Sequence, residues 1–223
     1  IISTVFQKNI DNYYSHSIKD IKLQNDKIYI LGMQNEENSN THNYILTMVN
    51  LEDEIEKQIK VKPGKYDMLG NMVIGKNCIL LLGSTFHKDD EGIQDYIMLL
   101  DNDLNMIWDK ELEDKWEGGI QGITYENDFL IASNNDSECI IYQINIKGKI
   151  VKKETIISTG IPMVEELTKM PDQNLLLVCW SMGDKNAEQK LLMTLSDDLT
   201  IINNTVVPFN RLDGKHSVCH IFC

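Results

Sequence analysis

The chain reads Lys76-Asn77-Cys78-Ile79-Leu80-Leu81-Leu82-Gly83 at its second apolar segment, where a polar turn leads directly into five apolar residues. The same pattern stands at three other places, Asn25-Asp26-Lys27-Ile28-Tyr29-Ile30-Leu31-Gly32, Asn127-Asp128-Phe129-Leu130-Ile131-Ala132-Ser133 and Gln173-Asn174-Leu175-Leu176-Leu177-Val178-Cys179. Ile28, Ile79 and Leu130 are spaced 51 residues apart, and Leu176 follows 46 residues later. A repeat of about 50 residues is typical of propeller blades.

Each repeat contains three further apolar segments around this run. We expect first strands around 16–23, 66–73, 119–125 and 164–170, third strands at 44–49, 96–100, 140–144 and 191–195, and fourth strands at 55–61, 106–112, 150–156 and 201–207. The segments are short, bounded by Asn, Asp and Gly, and lack helical spacing, which favours strands. A helix stays an alternative only at 50–60 and at 164–170. The middle strands are continuously apolar, as expected for strands covered on both faces. The fourth strands alternate between apolar and polar residues, as expected for strands half exposed to solvent.

The sequence therefore predicts an all-β fold, a β-propeller of four-stranded antiparallel blades in a single domain, 1–223. The predicted blades are 16–61, 66–112, 119–156 and 164–207, with 1–10 as an outer closing strand and 216–223 as the inner strand of a further blade. The start of the first blade, His16-Ser17-Ile18, recurs as His216-Ser217-Val218. A closed ring of five, six or seven blades needs about 30, 80 or 130 more residues, so we expect a fragment. A four-bladed ring with two extra strands is the less favoured alternative.

Composition narrows the classes of partner. Asp and Glu number 34 against 21 Lys and Arg, for a formal charge of −13, and Arg211 is the one arginine. Such a chain has no cationic excess for nucleic acid or for an anionic membrane surface. Its longest apolar runs are far shorter than the ~20 residues of a membrane-spanning helix. No signal peptide is visible at the start, and none of the five cysteines forms a Cys-x-x-Cys pair.

One stretch carries a family resemblance. It runs Asp95-Tyr96-Ile97-Met98-Leu99-Leu100-Asp101-Asn102-Asp103-Leu104-Asn105-Met106-Ile107-Trp108-Asp109-Lys110, followed by Gly119-Ile120 and Asn127-Asp128-Phe129-Leu130-Ile131-Ala132. It resembles the blades of bacterial quinoprotein-like repeat propellers, with an apolar strand, a polar turn and an Ile-x-Trp segment. The resemblance implies a propeller fold and a periplasmic or extracellular location. A bacterial source also agrees with the heavy use of Ile, Asn and Lys. Because the chain has three tryptophans, one arginine and no adjacent cysteines, we expect no quinone cofactor.

The candidate binding residues lie in the loops that join fourth strands to first strands. In propellers these loops form one rim together with the loops between second and third strands. The predicted rim residues are Tyr14, His16, Tyr66, Trp116, Glu117, Arg211 and His216. Aromatic and charged residues at equivalent places in several blades are typical of a shared ligand or peptide pocket. The alternative, which we weight somewhat more, is that the aromatic residues only pack between blades.

The residues give less support to a metal site or a catalytic site. The pattern His216-x-x-Cys219-His220-x-x-Cys223 has zinc-ligand types, but in a strand the His and Cys side chains point to opposite faces, so we expect no metal site. The acidic loops 36–40, 87–92 and 134–138 lack the spacing of a calcium loop and are expected to be solvated. No nucleophile motif or phosphate loop is present, and no catalytic residues are assigned.

We therefore expect a non-enzymatic propeller without a cofactor, which binds a protein or a small molecule at its loop rim. The alternative is a propeller enzyme, a hydrolase, a lyase or a glycan-processing enzyme, with its site at the axial end of the rim. Converging His, Glu and Asp residues would favour the enzyme, and a shallow apolar rim with scattered aromatic residues would favour the platform.

Overall fold

The structure is a computed structural model that describes residues 16–35, 42–50, 55–61, 68–86, 92–115, 119–135, 138–157, 162–182 and 188–208. Throughout these residues the chain forms strands and turns without a helix. The segments 55–61 and 162–169, where a helix was the alternative, are strands. Nothing in the described ranges is a helix long and apolar enough to cross a membrane.

Within the described residues, sixteen strands form four antiparallel sheets in which sequence neighbours pair. The first sheet contains β1 (His16–Gln24), β2 (Lys27–Asn35), β3 (His42–Asn50) and β4 (Ile55–Val61). The second contains β5 (Met68–Ile74), β6 (Cys78–Phe86), β7 (Ile93–Asp101) and β8 (Met106–Lys115). The third contains β9 (Gln121–Tyr125), β10 (Asp128–Asn134), β11 (Glu138–Ile144) and β12 (Ile150–Ile157). The fourth contains β13 (Pro162–Lys169), β14 (Leu175–Met182), β15 (Glu188–Leu195) and β16 (Ile201–Pro208).

Four such sheets confirm the predicted all-β fold with four-stranded antiparallel blades, as in a β-propeller. The predicted outer strand at 1–10 and the inner strand at 216–223 lie outside the described residues. The assignment of residues 1–223 to one propeller domain stays a prediction. The chain divides into two compact units, Ile1–Glu91 with Tyr96–Glu111, and Gly92–Asp95 with Leu112–Cys223.

The core of the first unit lies where its two sheets face each other. Tyr29, Leu31, Tyr44 and Leu46 alternate along β2 and β3 and pack with side chains of the second sheet, namely Leu69, Met72, Ile79, Leu81, Met98 and Leu100. A fully buried leucine stabilises a fold by about 1.5–3 kcal/mol. Along β6, Ile79, Leu80, Leu81 and Leu82 are all fully buried, so both faces of this middle strand are covered.

A β-bulge links the inner strands of the first unit. The register of β1 against β2 shifts between Ile18 and Asp20. Past this shift, Asp20 Oδ2 accepts a hydrogen bond of 2.9 Å from the backbone N–H of Met72 in β5. A bulge changes the direction of the side chains next to it. The Asp20 side chain therefore reaches the neighbouring sheet and bonds β1 to β5.

The second unit repeats this arrangement in its third and fourth sheets. Leu130, Ala132 and Ile141 of the third sheet pack against the fourth sheet through residues of β14 and β15, which are Leu175, Leu177, Cys179, Leu191, Met193 and Leu195. At the end of β9, the Tyr125 hydroxyl donates to Asp197 Oδ1 at 2.8 Å, in the turn before β16. The contact connects the first strand of one sheet to the last turn of the next.

Four hairpin turns share one backbone geometry. In Asp101–Asn105, Asn145–Lys149, Met170–Asn174 and Ser196–Thr200, the first N–H donates to the fifth carbonyl and the fourth N–H donates to the first carbonyl. The fourth residue has positive φ in each turn, and it is Leu104, Gly148, Gln173 or Leu199. This left-handed conformation costs a non-glycine residue about 1–2 kcal/mol. Only one of the four turns places glycine there.

The two leucines occupy the strained position because each fills a core. Leu104 is 3% exposed in the core of the first unit, and Leu199 is 7% exposed in that of the second. A lysine of the preceding sheet holds each turn from outside. Lys57 Nζ donates to the carbonyl of Asp103, and Lys152 Nζ donates to the carbonyl of Asp198 at 2.6 Å. The two lysine pairs have the same separation of 46 residues. Burying each leucine side chain stabilises the fold by about 2–3 kcal/mol, which is more than its left-handed backbone conformation costs.

Substitution by glycine separates packing from strain in these turns. We expect Leu104→Gly to lower the free energy of unfolding by about 2–4 kcal/mol, because the lost packing outweighs the relieved strain. The matched control is Gln173→Gly, at an exposed position with the same backbone geometry, and we expect its effect to stay within about 1 kcal/mol. Urea unfolding of both variants measures the difference. Equal costs at the two positions would contradict the packing explanation.

Candidate functional site

The predicted rim residues lie almost entirely outside the described residues. Tyr14, Tyr66, Trp116, Glu117, Arg211 and His216 are not described, and neither is the segment His216–Cys223. His16 is described only as the first residue of β1. Their arrangement therefore lies outside the described residues, and their assignment as a binding site stays a prediction.

The acidic loops are described in part. In the loop between β10 and β11, the Asn135 N–H donates to the Glu138 carbonyl, and Asn135 Oδ1 accepts from the Glu138 N–H, both at 3.0 Å. Over the described part of the chain, no three His, Cys, Asp or Glu side chains gather in a metal-binding arrangement. The polar atoms seen in this loop serve a local turn.

Buried polar side chains mark one end of the described sheets. Apart from Thr47, they all stand near the end of a second strand or the start of a third strand. In the first unit these are Asn43, Ser84 and Thr85, and in the second unit Asp95, Ser133 and Asn134. Burying a polar group costs free energy unless it is hydrogen-bonded. The end of the sheets below the loops between second and third strands is therefore the best candidate site in the described chain.

The second unit contains the most complete of these groups, which we name the Asp95 cluster: Asp95, Ser133, Asn134 and the backbone of Val164. Asp95 and Asn134 are fully buried. The Ser133 hydroxyl donates to Asp95 Oδ2, and Asn134 Oδ1 accepts from the Val164 N–H at 3.4 Å. Within the described residues, Asn134 Nδ2 has no hydrogen-bond acceptor. The cluster therefore holds a buried carboxyl group beside an amide N–H for which the described residues supply no acceptor.

Two buried cysteines lie beside the Asp95 cluster. Cys139 pairs with Asn134 in the β10–β11 register, and Cys179 pairs with Val164 in the β13–β14 register. Both thiols are fully buried and free. The hydrogen bond to Cys179, together with burial, holds the pKa of the Cys139 thiol well above its usual range. A cysteine reacts as a nucleophile only as the thiolate, and burial disfavours that form. We therefore interpret this buried pair as packing residues.

Sequence reasoning missed the Asp95 cluster, although a signal for it was present. Gly83-Ser84-Thr85 and Ala132-Ser133-Asn134 follow the apolar runs of two repeats at the same place, so polar residues recur where the run ends. That recurrence suggests a polar end to the sheets. It does not predict that Ser133 donates to Asp95, because 38 residues separate them and the contact depends on packing.

A groove of about 380 Å³ lies elsewhere in the second unit, between β12 and the turn before β16. It contains the carboxylates of Glu154 and Asp198, and both have local partners. Lys152 Nζ lies 3.4 Å from Glu154 Oε1. Hydrogen bonds from Ser196 and Thr200 lower the pKa of Asp198. These contacts stabilise the turn, and we assign the groove no functional role.

The comparisons with known proteins bear on the fold. A cobalt-substituted apocarotenoid oxygenase of Synechocystis matches with a TM-score of 0.53 at 10% identity, over 82% of this chain and 46% of the oxygenase. A tryptophan-to-alanine variant of that oxygenase gives a TM-score of 0.52 with the same identity and coverage. Acylaminoacyl peptidase of Pyrococcus horikoshii gives 0.42 at 11% identity, over 84% of this chain and 39% of the peptidase.

The likeness to the oxygenase structures shows a propeller-like fold and leaves the activity open. The chain spans about half the length of the oxygenase structures it matches. The structures named above are an oxygenase and a peptidase, whereas the sequence resemblance pointed to quinoproteins. No protein-family model and no curated protein matches the chain.

Removing the Ser133 hydroxyl tests the Asp95 cluster. We expect Ser133→Ala to lower the free energy of unfolding by about 1.5–3 kcal/mol, because the Asp95 carboxylate stays buried and loses a donor. The measurement is urea unfolding in a double-mutant cycle with Asp95→Asn, which replaces the charge by a neutral amide. The same cost of Ser133→Ala in both backgrounds would show that the charge on Asp95 contributes nothing to this cost, because the asparagine oxygen still accepts the hydroxyl.

Thiol reactivity tests the packing role of the cysteines. In a variant with Cys219→Ser and Cys223→Ser, the remaining thiols are Cys78, Cys139 and Cys179, all buried. We expect them to react with an aromatic disulfide reagent on the order of 100-fold more slowly than free cysteine in the native protein, and fully in urea. Absorbance of the released thiolate measures both rates. Rapid reaction of any of the three in the native state would refute their burial.

Proposed function

We propose that this protein is a non-enzymatic binding platform, a β-propeller that holds a protein or a small-molecule ligand at its loop rim. One observation carries the proposal: the buried polar residues concentrate at the end of the sheets below the loops between second and third strands. Apart from Thr47, the buried residues of the described middle strands away from this end are apolar, so the cost of burying polar groups falls mainly at this end. Ligand sites combine an apolar wall with a few oriented polar groups.

The Asp95 cluster supplies such groups in the second unit. The Asp95 carboxyl group accepts the Ser133 hydroxyl, and the buried Asn134 Nδ2 has no acceptor among the described residues. Side chains held by strands are better oriented than side chains held by loops. The rim residues Tyr14, His16, Tyr66, Trp116, Glu117, Arg211 and His216 are proposed to supply the aromatic and charged contacts. A quinoprotein-like ancestry, a bacterial source and an extracytoplasmic location belong to this proposal on the resemblance of the sequence alone.

The alternative is a propeller enzyme with its site at the axial end of the rim, a hydrolase, a lyase or a glycan-processing enzyme. The buried Asp95 carboxylate that accepts the Ser133 hydroxyl favours it, because enzymes often bury a carboxylate beside their chemistry. The proteins that match in fold are an oxygenase and a peptidase, but a likeness at about 10% identity does not transfer their activities.

Aromatic truncation at the rim tests the platform. A panel of peptides and oligosaccharides is first screened for ligands that raise the melting temperature, and the ligands found are titrated calorimetrically. We expect Trp116→Ala and Tyr66→Ala each to weaken binding about tenfold or more, because aromatic anchors dominate such contacts. The melting temperature should shift by only a few degrees. Trp108→Ala, in the outer strand β8, is the matched control and should leave binding unchanged.

Two results would contradict the platform. Unchanged binding in both rim variants would remove these residues from the site, and collapse of the fold would assign them to packing. Turnover of a ligand of the panel, detected by mass spectrometry and abolished by Asp95→Asn in a folded variant, would establish the enzyme instead.

A further inference from the structure

Two cysteines of the second unit meet between its two sheets. Cys139 lies in β11 of the third sheet, and Cys179 lies in β14 of the fourth sheet, 40 residues further along the chain. Both side chains are fully buried, belong to the same core and share a hydrogen bond. Their contact places two oxidisable sulfur atoms side by side between two sheets.

The third and fourth sheets approach each other closely beside this pair. Packed sheets usually lie about 10 Å apart, whereas a disulfide requires Cα atoms about 4.4–6.8 Å apart. Here the Asn134 side chain reaches the Val164 N–H directly, and a Cβ atom on Gly119, just before β9, would overlap the Val164 carbonyl oxygen. Asn134 is the register partner of Cys139, and Val164 is that of Cys179. The close approach therefore falls at the two cysteines.

The strands turn both thiols toward this interface. Cys139 and Ile141 are two residues apart in β11 and contribute to the same core, and Leu177 and Cys179 do so in β14. Residues two apart in a strand lie on the same face. A disulfide joins only cysteines whose side chains point toward each other. The hydrogen bond between the two thiols meets that condition.

The surroundings of the pair are compatible with a disulfide. The core around it consists of apolar side chains, among them Leu130 and Leu191. The hydrogen bond to Cys179 and burial raise the pKa of the Cys139 thiol, so the charged thiolate is disfavoured in the folded protein. A disulfide carries no charge, and oxidation therefore places no new charge in this core. A link across 40 residues also restricts the unfolded chain, which stabilises the folded state.

We propose that Cys139 and Cys179 form a disulfide between the third and fourth sheets under oxidising conditions, and that the buried dithiol is its reduced form. The oxidant is a small-molecule disulfide of the glutathione type. The proposal does not depend on the ligand-binding function proposed above.

The reaction takes place before the two sheets close, or when they open, because both thiols are buried in the folded protein. One cysteine loses its proton to solvent, and its thiolate attacks the oxidant to form a mixed disulfide and release one small thiolate. The thiolate of the second cysteine then attacks the sulfur of the first and releases a second small thiolate. Two protein thiols are oxidised, and one small disulfide is reduced to two thiols.

Refolding in a glutathione buffer tests the proposal. The full chain with Cys219→Ser and Cys223→Ser is reduced in urea, so that its thiols are Cys78, Cys139 and Cys179. It is then refolded with equal millimolar amounts of reduced and oxidised glutathione. Alkylation in urea followed by mass spectrometry counts the remaining thiols, and peptide mapping identifies the linked pair.

We expect more than half of the molecules to contain the Cys139–Cys179 disulfide. Their circular dichroism should match that of the reduced protein, and their urea midpoint should be higher, because the link restricts the unfolded chain. Dithiothreitol should reduce the disulfide on the order of 100-fold more slowly in the native protein than in urea, because the folded core excludes the reagent.

Alanine substitutions supply the controls. Cys139→Ala removes one half of the pair, and we expect this variant to form no internal disulfide. Cys78→Ala removes a buried cysteine of the first unit and should leave both the disulfide and the rise in urea midpoint unchanged. Circular dichroism establishes that both variants fold. Fewer than half of the molecules oxidised, a link through Cys78, or a disulfide that lowers the urea midpoint or leaves it unchanged would each overturn the proposal.

Discussion

The structure depends on the burial of both faces of its sheets. A four-stranded sheet whose middle strands are apolar on both sides is not stable alone, because both of its faces would remain in water. Here two sheets close over a core in each unit, with Leu31 and Leu46 against Leu81 in the first, and Leu130 and Ile141 against Leu177 in the second. The repeat of about 50 residues supplies one such sheet after another, and each needs a neighbour.

The turns and inner strands also help to keep the sheets packed together. Leu104 and Leu199 adopt a backbone conformation that glycine would adopt at less cost, because their side chains complete a core. Lysines from the preceding sheets bind the carbonyls next to these leucines, and Asp20 binds the backbone of β5. In the first unit these contacts join neighbouring sheets at an inner strand and at an outer turn, and in the second unit Lys152 joins them at the outer turn.

The fold was predictable because its signals are local. Strand positions, antiparallel order and the covered middle strands follow from runs of apolar residues and polar turns, and the described strands agree with them. The candidate site was less predictable. Ser84 and Ser133 recur at the ends of apolar runs, which indicates a polar end, but the pairing of Ser133 with Asp95 and of Asn134 with Val164 joins residues from different strands. The rim residues, chosen from loop positions, remain a hypothesis.

By itself, the sequence determined the class of fold, the number of complete sheets, and the absence of the cationic excess that nucleic acid binding requires. These properties arise from composition and short-range periodicity, which need no partner in space. Tertiary structure alone decided which polar residues are buried, that Cys139 and Cys179 lie side by side, and that β16 is exposed on an open edge. Each of these depends on contacts between segments that lie far apart in the chain, and only packing brings such segments together.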